Sequence, residues 1–343
     1  MIHYPHDTPP DAGEAIELAP GVLWMRLPLP MKLDHVNLYA LDDGDSWTLI
    51  DAGMKWAKAT PQFAALRAGP LAGKPISRLV ITHHHPDHVG YLGDLARDGC
   101  EVLATRTAWL TARMLTLDEQ PEYTPEAIRF YERAGMAPEV LDKRRGERPF
   151  NFSDMVAPIP TGFTRLQEGE VIQMGGRTWD IRTGNGHAPE HATFWSREDD
   201  LVLSGDQILP SISPNIGVYP TEPDANPLGD WMESCHRFAA MAEDRHFVLG
   251  GHKLPFVGLP TRMRQLIENH EGALARLRKA LTLPLSAGEV FTPIFKREIG
   301  GGEYGLALVE AYAHCLFLWH AGEVTRALGD DGAFRFQMIS PSS

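Results

Sequence analysis

One short segment restricts the fold of this chain more than any other. Residues 82–88, with the sequence THHHPDH, contain the pattern His83-x-His85-x-Asp87-His88 and directly follow the apolar run Ile76–Ile81. A loop placed after a buried strand can direct His83 and His85 towards one ion, and Asp87 and His88 towards a neighbouring ion. Imidazole and carboxylate ligands together suit zinc, with manganese or iron as alternatives. The segment therefore predicts a metal centre at the end of a strand.

Three later segments repeat one arrangement, an apolar strand followed by glycine and then a single His or Asp. They end at His187, Asp206 and His252. Glycine lets the backbone turn tightly and approach an ion closely. One such segment alone is unremarkable, whereas three of them after the histidine-rich loop predict a shared metal site built at strand ends.

These motifs, in this order, make residues 20–260 resemble the metallo-β-lactamase superfamily. The resemblance implies an α+β fold, an αββα sandwich with the site at one edge of the two sheets. Asp51, in Ile50-Asp-Ala-Gly53, matches the first motif, which orients the ligand loop from behind the ligands. The implied ligands are His83, His85 and His187 for the first metal, Asp87, His88 and His252 for the second, and Asp206 as the bridge.

The complete ligand set is similar to that of the glyoxalase II-like branch, which it shares with lactonases and tRNase Z. True metallo-β-lactamases generally lack the bridging aspartate, and many use cysteine as a ligand of the second metal. This chain has Asp206 and no cysteine in its motifs. The resemblance therefore implies two Zn²⁺ ions as cofactors, with Mn²⁺ or Fe²⁺ as alternatives.

The reaction that the resemblance implies is hydrolysis of a carboxylic ester, thioester or lactone by a metal-bridged hydroxide. Asp87 and Asp206 are then the catalytic residues. Two alternatives from other classes stay open, an RNA-processing phosphodiesterase and a single-iron persulfide dioxygenase-like protein. The net charge of −13 argues against a phosphate backbone as partner.

Composition sets the remaining expectations. The three cysteines, in positions 100, 235 and 315, are far apart, which favours a reducing compartment. The first residues show no basic and apolar signal-peptide pattern, so we expect a cytoplasmic protein. We expect a small-molecule acyl substrate and neither nucleic acid nor membrane as partner, and we leave homo-oligomer formation open.

The helical patterns predict a division into a catalytic domain, residues 1–260, and a helical, winged-helix-like C-terminal domain, residues 261–343. The catalytic domain carries a helical insertion at about residues 107–142. Within it, Trp109, Leu110, Met114 and Leu117 recur at helical spacing, and a second helix should begin at Thr124-Pro125 and stop at Gly135. The apolar stretch Gly305–Trp319 predicts a buried amphipathic helix.

Further residues near the motifs are candidates for supporting roles. His191 is expected to support the ligands or to hydrogen-bond the substrate, and Glu190 stands where relatives usually have glycine. The insertion and the loop after Asp206 should select the substrate. Their tyrosines Tyr123, Tyr131 and Tyr219 are therefore the predicted substrate-pocket residues.

Overall fold

A computed structural model describes residues 1–339, and their contacts divide the chain into two units. Unit 1 consists of Met1–Glu119, Phe150–Pro214 and Ala239–Met263, and unit 2 of Gln120–Pro149, Asn215–Phe238 and the residues from Arg264 onwards. The predicted domain boundary at residue 260 stays a prediction. Residues 340–343 of the predicted tail lie outside the described residues.

The first sheet of unit 1 is buried on both faces. Along its third strand, Leu38 and Ala40 belong to a core that includes Phe63 of a helix, whereas Tyr39 and Leu41 belong to a core shared with the second sheet. Successive side chains of a strand point to opposite faces, so one strand can serve two cores. The seven strands are adjacent in chain order: β1 (Ile16–Ala19), β2 (Val22–Pro28), β3 (His35–Asp42), β4 (Trp47–Ile50), β5 (Ile76–Val80), β6 (Glu101–Thr105) and β7 (Thr164–Leu166).

Both sheets combine antiparallel and parallel pairs. In the first sheet β1 to β4 pair antiparallel, and β4 to β7 pair parallel. The six strands of the second sheet are β8 (Val171–Met174), β9 (Arg177–Gly184), β10 (His191–Ser196), β11 (Leu201–Gly205), β12 (Phe247–Gly250) and β13 (Phe256–Val257). Only the pair β11 and β12 is parallel in this sheet, among the strands that the structure describes. Parallel neighbours end at the same sheet edge, which brings the segments that follow them together.

Short helices connect the strands of unit 1. They are α1 (Ala59–Ala68), α2 (Pro86–Val89), α3 (Leu92–Arg97) and α4 (Arg106–Leu117). The helical spacing predicted for α4 is confirmed, but its apolar residues do not form a buried stripe. Trp109 is 7% exposed, whereas Leu110, Met114 and Leu117 are 51%, 46% and 69% exposed.

Unit 2 is mainly helical. Its helices α5 (Pro125–Arg133), α6 (Pro138–Arg145), α9 (Phe291–Phe295) and α10 (Tyr304–His320) are followed by the antiparallel hairpin β14 (Val324–Leu328) and β15 (Phe334–Met338). Helices α7 (Pro227–Met241) and α8 (Leu259–Ala280) contribute residues to both units. The predicted start of α5 is confirmed, because the Thr124 hydroxyl accepts a hydrogen bond from the backbone N–H of Ala127.

Helix α10 departs from its predicted amphipathic pattern. Six consecutive residues, Ala311 to Leu316, are all buried, so this part of the helix is covered on every side. No helix within residues 1–339 is long and apolar enough to cross a membrane. The predicted α+β sandwich of two sheets with helices and a C-terminal helical region is confirmed, while the winged-helix-like character of that region stays a prediction.

Candidate metal centre

The predicted ligands lie at the ends of strands, as the sequence indicated. Asp51 follows β4 and the histidine-rich loop follows the parallel neighbour β5. Asp206 follows β11, and His252 lies two residues beyond its parallel neighbour β12. Strand pairing thus brings residues that are far apart in the sequence to common edges.

Seven side chains meet in three overlapping groups, with the donor atoms of each group within 4.8 Å of one another. We call His83, His85 and His187 the first donor set, and Asp87, His88 and His252 the second donor set. The remaining group joins Asp206 to His83 and His88, one residue from each set. All seven predicted ligands are therefore brought together.

The Asp206 carboxylate lies between the two donor sets. Its Oδ2 atom is 3.6 Å from Nε2 of His187 and 3.1 Å from Nε2 of His252, and its Oδ1 atom is 3.5 Å from Nε2 of His88. Only 6% of the Asp206 surface is exposed. Both carboxylate oxygens thus face imidazole nitrogens, and the carboxylate lies close to residues of both donor sets.

The pKa values of His83 and His85 are shifted in the opposite direction to that of His252. Burial lowers the pKa of His83 and His85 well below the usual value, and nearby imidazoles act in the same direction. Burial also lowers the pKa of His252, but the carboxylates of Asp206 and Asp87 outweigh it and raise this pKa to about 10. A metal ion held by His252 would therefore have to displace a proton that these carboxylates stabilise.

Asp51 supports His88 from behind. It adopts a positive φ of 61°. Its Oδ1 accepts a hydrogen bond from the Thr82 backbone N–H at 2.8 Å, and its Oδ2 accepts from the Thr82 hydroxyl at 2.8 Å and from His88 Nδ1 at 2.7 Å. Because Nδ1 of His88 carries the donated proton, Nε2 is the atom that faces the site.

His191 contacts a ligand through its ring nitrogen. Its Nε2 accepts a hydrogen bond from the Asp206 backbone N–H at 3.0 Å, and its ring stacks on His83 with centroids 4.5 Å apart. Burial lowers the pKa of His191 to about 3, which keeps the ring neutral and its acceptor available. Gly205 permits this contact, since a Cβ there would lie 2.6 Å from the His191 ring. The structure thus places His191 where it fixes the backbone of Asp206.

Glu190, whose role the sequence left open, contacts the start of α4. Its carboxylate accepts a hydrogen bond from the Thr107 backbone N–H at 2.6 Å, and its backbone carbonyl accepts from the Thr105 hydroxyl at 2.7 Å. Its positive φ of 47° is unusual for a residue other than glycine. Glu190 therefore acts as an N-terminal cap for a helix to which it does not belong.

A group of polar residues beside the loop that carries His252 was not predicted from the sequence. Asn37 lies in β3 and is 1% exposed, and Arg26 lies in the neighbouring strand β2. Both donate hydrogen bonds to the backbone carbonyl of Lys253. Asn37 could have been recognised as a polar residue within an apolar strand. A buried polar side chain in such a strand needs hydrogen-bond partners, which indicates a structural role.

The predicted substrate-pocket tyrosines all belong to unit 2. The rings of Tyr123 and Tyr131 meet edge to face with centroids 6.2 Å apart, and the Arg144 guanidinium lies 4.2 Å from the Tyr131 centroid. Tyr219 is 42% exposed, and its hydroxyl lies 3.4 Å from Oδ1 of Asn215. Contact of these tyrosines with a substrate stays a prediction.

Three observations indicate that the donor sets can hold a metal ion. Nε2 of His88 and Oδ1 of Asp206 are buried and have no hydrogen-bond partner among residues 1–339, although they lie 3.5 Å apart. A Cβ at Gly251 would collide with Oδ1 of Asp206, so glycine leaves room beside that oxygen. The donor chemistry of imidazole with carboxylate suits zinc, manganese or iron. The residues present therefore fit the cofactors that the sequence predicted.

Comparisons with known proteins show the family of the chain. The family model described as Metallo-beta-lactamase superfamily matches residues 31–252, and a model described as Metallo-beta-lactamase-like, C-terminal domain matches residues 274–339. A Bacillus subtilis protein named "Probable metallo-hydrolase YqjP" is 26% identical over 292 residues, which are 81% of this chain and 87% of that protein.

Two solved structures are similar over nearly the whole chain. A beta-lactamase domain protein from Burkholderia ambifaria is 37% identical, with a TM-score of 0.90 and coverage of 98% of each chain. A metallo-beta-lactamase family protein from Thermus thermophilus is 27% identical, with a TM-score of 0.78 and coverage of 94% of this chain and 100% of that one.

Proposed function

Because this chain belongs to the metallo-β-lactamase superfamily, we propose that it is a binuclear metal-dependent hydrolase of carboxylic esters, thioesters or lactones. Its relatives support the broader assignment to the metallo-hydrolases. The proposed ligand set is that of the glyoxalase II-like branch, with two zinc ions as the proposed cofactors.

The position of Asp206 is the observation that carries this proposal. Its carboxylate lies within 3.6 Å of imidazole nitrogens from both donor sets. A residue shared in this way favours two ions that act as a pair over a single isolated ion. Paired ions are typical of hydrolytic sites that bind both the attacking and the leaving oxygen.

Zinc ions bound here would act as Lewis acids, which polarise a carbonyl and lower the pKa of water to about 7. The side chains of the protein have three tasks. The two donor sets would hold the ions, with the Asp206 carboxylate between the sets. Asp51 and His191 orient His88 and Asp206 through the hydrogen bonds described above. In the metal-free chain Asp87 and Asp206 are ionised, because burial, which raises their pKa, is outweighed by the neighbouring His88 and His252.

The charge of the chain supports an acyl substrate over a nucleic acid. Residues 261–343 contain nine basic and nine acidic residues, so the whole net charge of −13 lies in residues 1–260. A phosphodiester backbone binds mainly through lysine and arginine. A small substrate with a carbonyl needs no such basic surface. Two divalent cations held by two carboxylates would keep a net positive charge, which would stabilise an oxyanion.

The test of the proposal is metal analysis of the purified chain together with a substrate panel. We expect about two zinc-like ions per chain and hydrolysis of at least one thioester, lactone or ester. A preparation that holds one iron and oxidises a persulfide would contradict the proposal. So would cleavage of RNA in the absence of any acyl hydrolysis.

A further inference from the structure

We propose that Asn37 and His35 are positioning residues, which hold the loop of residues 250–253 and thereby set the metal affinity of the second donor set. We call residues 250–253 the His252 loop. This inference rests on the proposed function, because it assumes that two ions bind. It concerns residues that lie outside all the ligand motifs.

Every hydrogen-bonding site of the Asn37 amide is used. Its Oδ1 accepts from Nε1 of Trp24 and from Nε of Arg26, both at 2.9 Å. Its Nδ2 donates to the carbonyls of Gly250 at 2.8 Å and Lys253 at 2.9 Å. An amide offers two donors and two acceptor lone pairs, so this side chain is fully satisfied. It therefore ties both ends of the His252 loop to one buried point on β3.

His35 makes the complementary contacts. Its backbone carbonyl accepts a hydrogen bond from His252 Nδ1 at 2.7 Å, and its Nε2 accepts from the Lys253 backbone N–H at 2.9 Å. Its own Nδ1 pairs with Oδ1 of Asp34 at 2.6 Å. Because Nδ1 of His252 donates to His35, Nε2 of His252 is the atom directed at the carboxylates of the site.

The loop adopts a conformation that needs such contacts. Lys253 has a positive φ of 67°, which is sparsely populated for residues other than glycine. Arg26 donates to the Lys253 carbonyl at 2.6 Å, and the Tyr39 hydroxyl donates to the Gly250 carbonyl at 2.7 Å. The Asn37 backbone N–H donates to the Gly251 carbonyl at 2.7 Å. We infer that strands β2 and β3 hold the loop in this conformation.

The first donor set is held by different contacts. Nδ1 of His83 pairs with the Thr82 hydroxyl at 3.0 Å, and Nε2 of His83 lies 2.9 Å from Nδ1 of His85. Loss of the Asn37 or His35 contacts should therefore displace His252 and leave the first donor set in place. The consequence is a selective loss at one of two metal-binding steps.

The experiment measures both zinc-binding steps of the full chain by competition with a chromophoric chelator. Asn37→Asp keeps the acceptor for Trp24 and Arg26 but has no N–H for the loop carbonyls. Changes to residues that orient a ligand typically lower metal affinity about 10- to 100-fold. We expect a loss of this size in the binding step that fills the second donor set. The binding step that fills the first donor set should stay unchanged.

Three further variants make the test specific. His35→Ala removes the acceptor of the Lys253 N–H and decides the outcome if Asn37→Asp fails to fold. His35→Gln retains a side-chain acceptor, so the loss should be smaller than in His35→Ala. Thr48→Val is the matched control, because Thr48 is equally buried and its hydroxyl bonds Asp43, not the His252 loop. Both of its zinc-binding steps should equal those of the unaltered chain.

Two results would overturn the inference while the proposed function stands. The first is two unchanged zinc-binding steps in Asn37→Asp and His35→Ala. The second is an equal loss in both steps, which would indicate general loosening of the fold. A single zinc-binding step in the unaltered chain would instead refute the two-metal function and, with it, this inference.

Discussion

Replacement of His191 by phenylalanine tests how the fold supports Asp206. The variant keeps an aromatic ring of similar size on His83 but removes the Nε2 acceptor, which lies 3.0 Å from the Asp206 backbone N–H. The donor is then buried without a partner, since Asp206 is only 6% exposed. A buried donor left unsatisfied costs about 1–3 kcal/mol. No cavity adds to this figure, because the ring volume is retained.

The effect should appear in two measurements. The free energy of unfolding of the metal-free chain, from urea denaturation, should fall by about 1–3 kcal/mol. Zinc affinity should fall about 10- to 100-fold, as for other residues that orient a ligand. Both changes follow from the loss of one acceptor. A fall in the free energy of unfolding alone, or in zinc affinity alone, would count against the role of this hydrogen bond.

His84→Phe is the matched control. His84 is also a buried histidine next to ligands, with 8% of its surface exposed and a pKa that burial lowers to about 3. Its Nδ1 has no hydrogen-bond partner within residues 1–339. We expect this variant to keep the stability and zinc affinity of the unaltered chain. Equal behaviour of the His191 and His84 variants would refute the role assigned to the His191 hydrogen bond.

The remaining predictions concern other parts of the molecule. Asp206→Ala should lower turnover by more than about 100-fold, beyond the usual effect of residues that only orient ligands, with unchanged circular dichroism; full activity would exclude the bridging role. Tyr219→Ala should raise KM or shift acyl preference at unchanged zinc content. Burial raises the pKa of Glu310 to about 7, although a hydrogen bond from Asn215 acts to lower it. A raised folded-state pKa means that stability is lost as pH rises from about 4.5 through 7, and Glu310→Gln should remove this loss in urea titrations.

The strand-end motifs were predictable because they depend on local sequence. Apolar runs followed by glycine and one ligand, as before His187 and Asp206, indicate where a strand stops. Strand pairing then brings these strand ends together, and all seven predicted ligands lie in overlapping groups. The resemblance implied that Asp51 orients the ligand loop, but its hydrogen-bond partners Thr82 and His88 were not predicted.

The supporting contacts were not predictable because they join residues that are distant in the chain. Asn37 contacts the carbonyl of Gly250, which is 213 positions away, and no spacing rule relates the two. Glu190 caps a helix that starts 84 positions earlier, at Arg106. For α4, the spacing of the apolar residues predicted the helix but not which of its residues are buried. Leu110 and Leu117 are exposed although they follow this spacing.

The most direct test of the central claim is anomalous diffraction at the zinc edge from crystals of the zinc-loaded chain. The proposal predicts two zinc peaks, one bound by His83, His85 and His187 and the other by Asp87, His88 and His252. The Asp206 carboxylate should contact both ions. A single peak in crystals grown with excess zinc, or two peaks without Asp206 between them, would contradict the binuclear site.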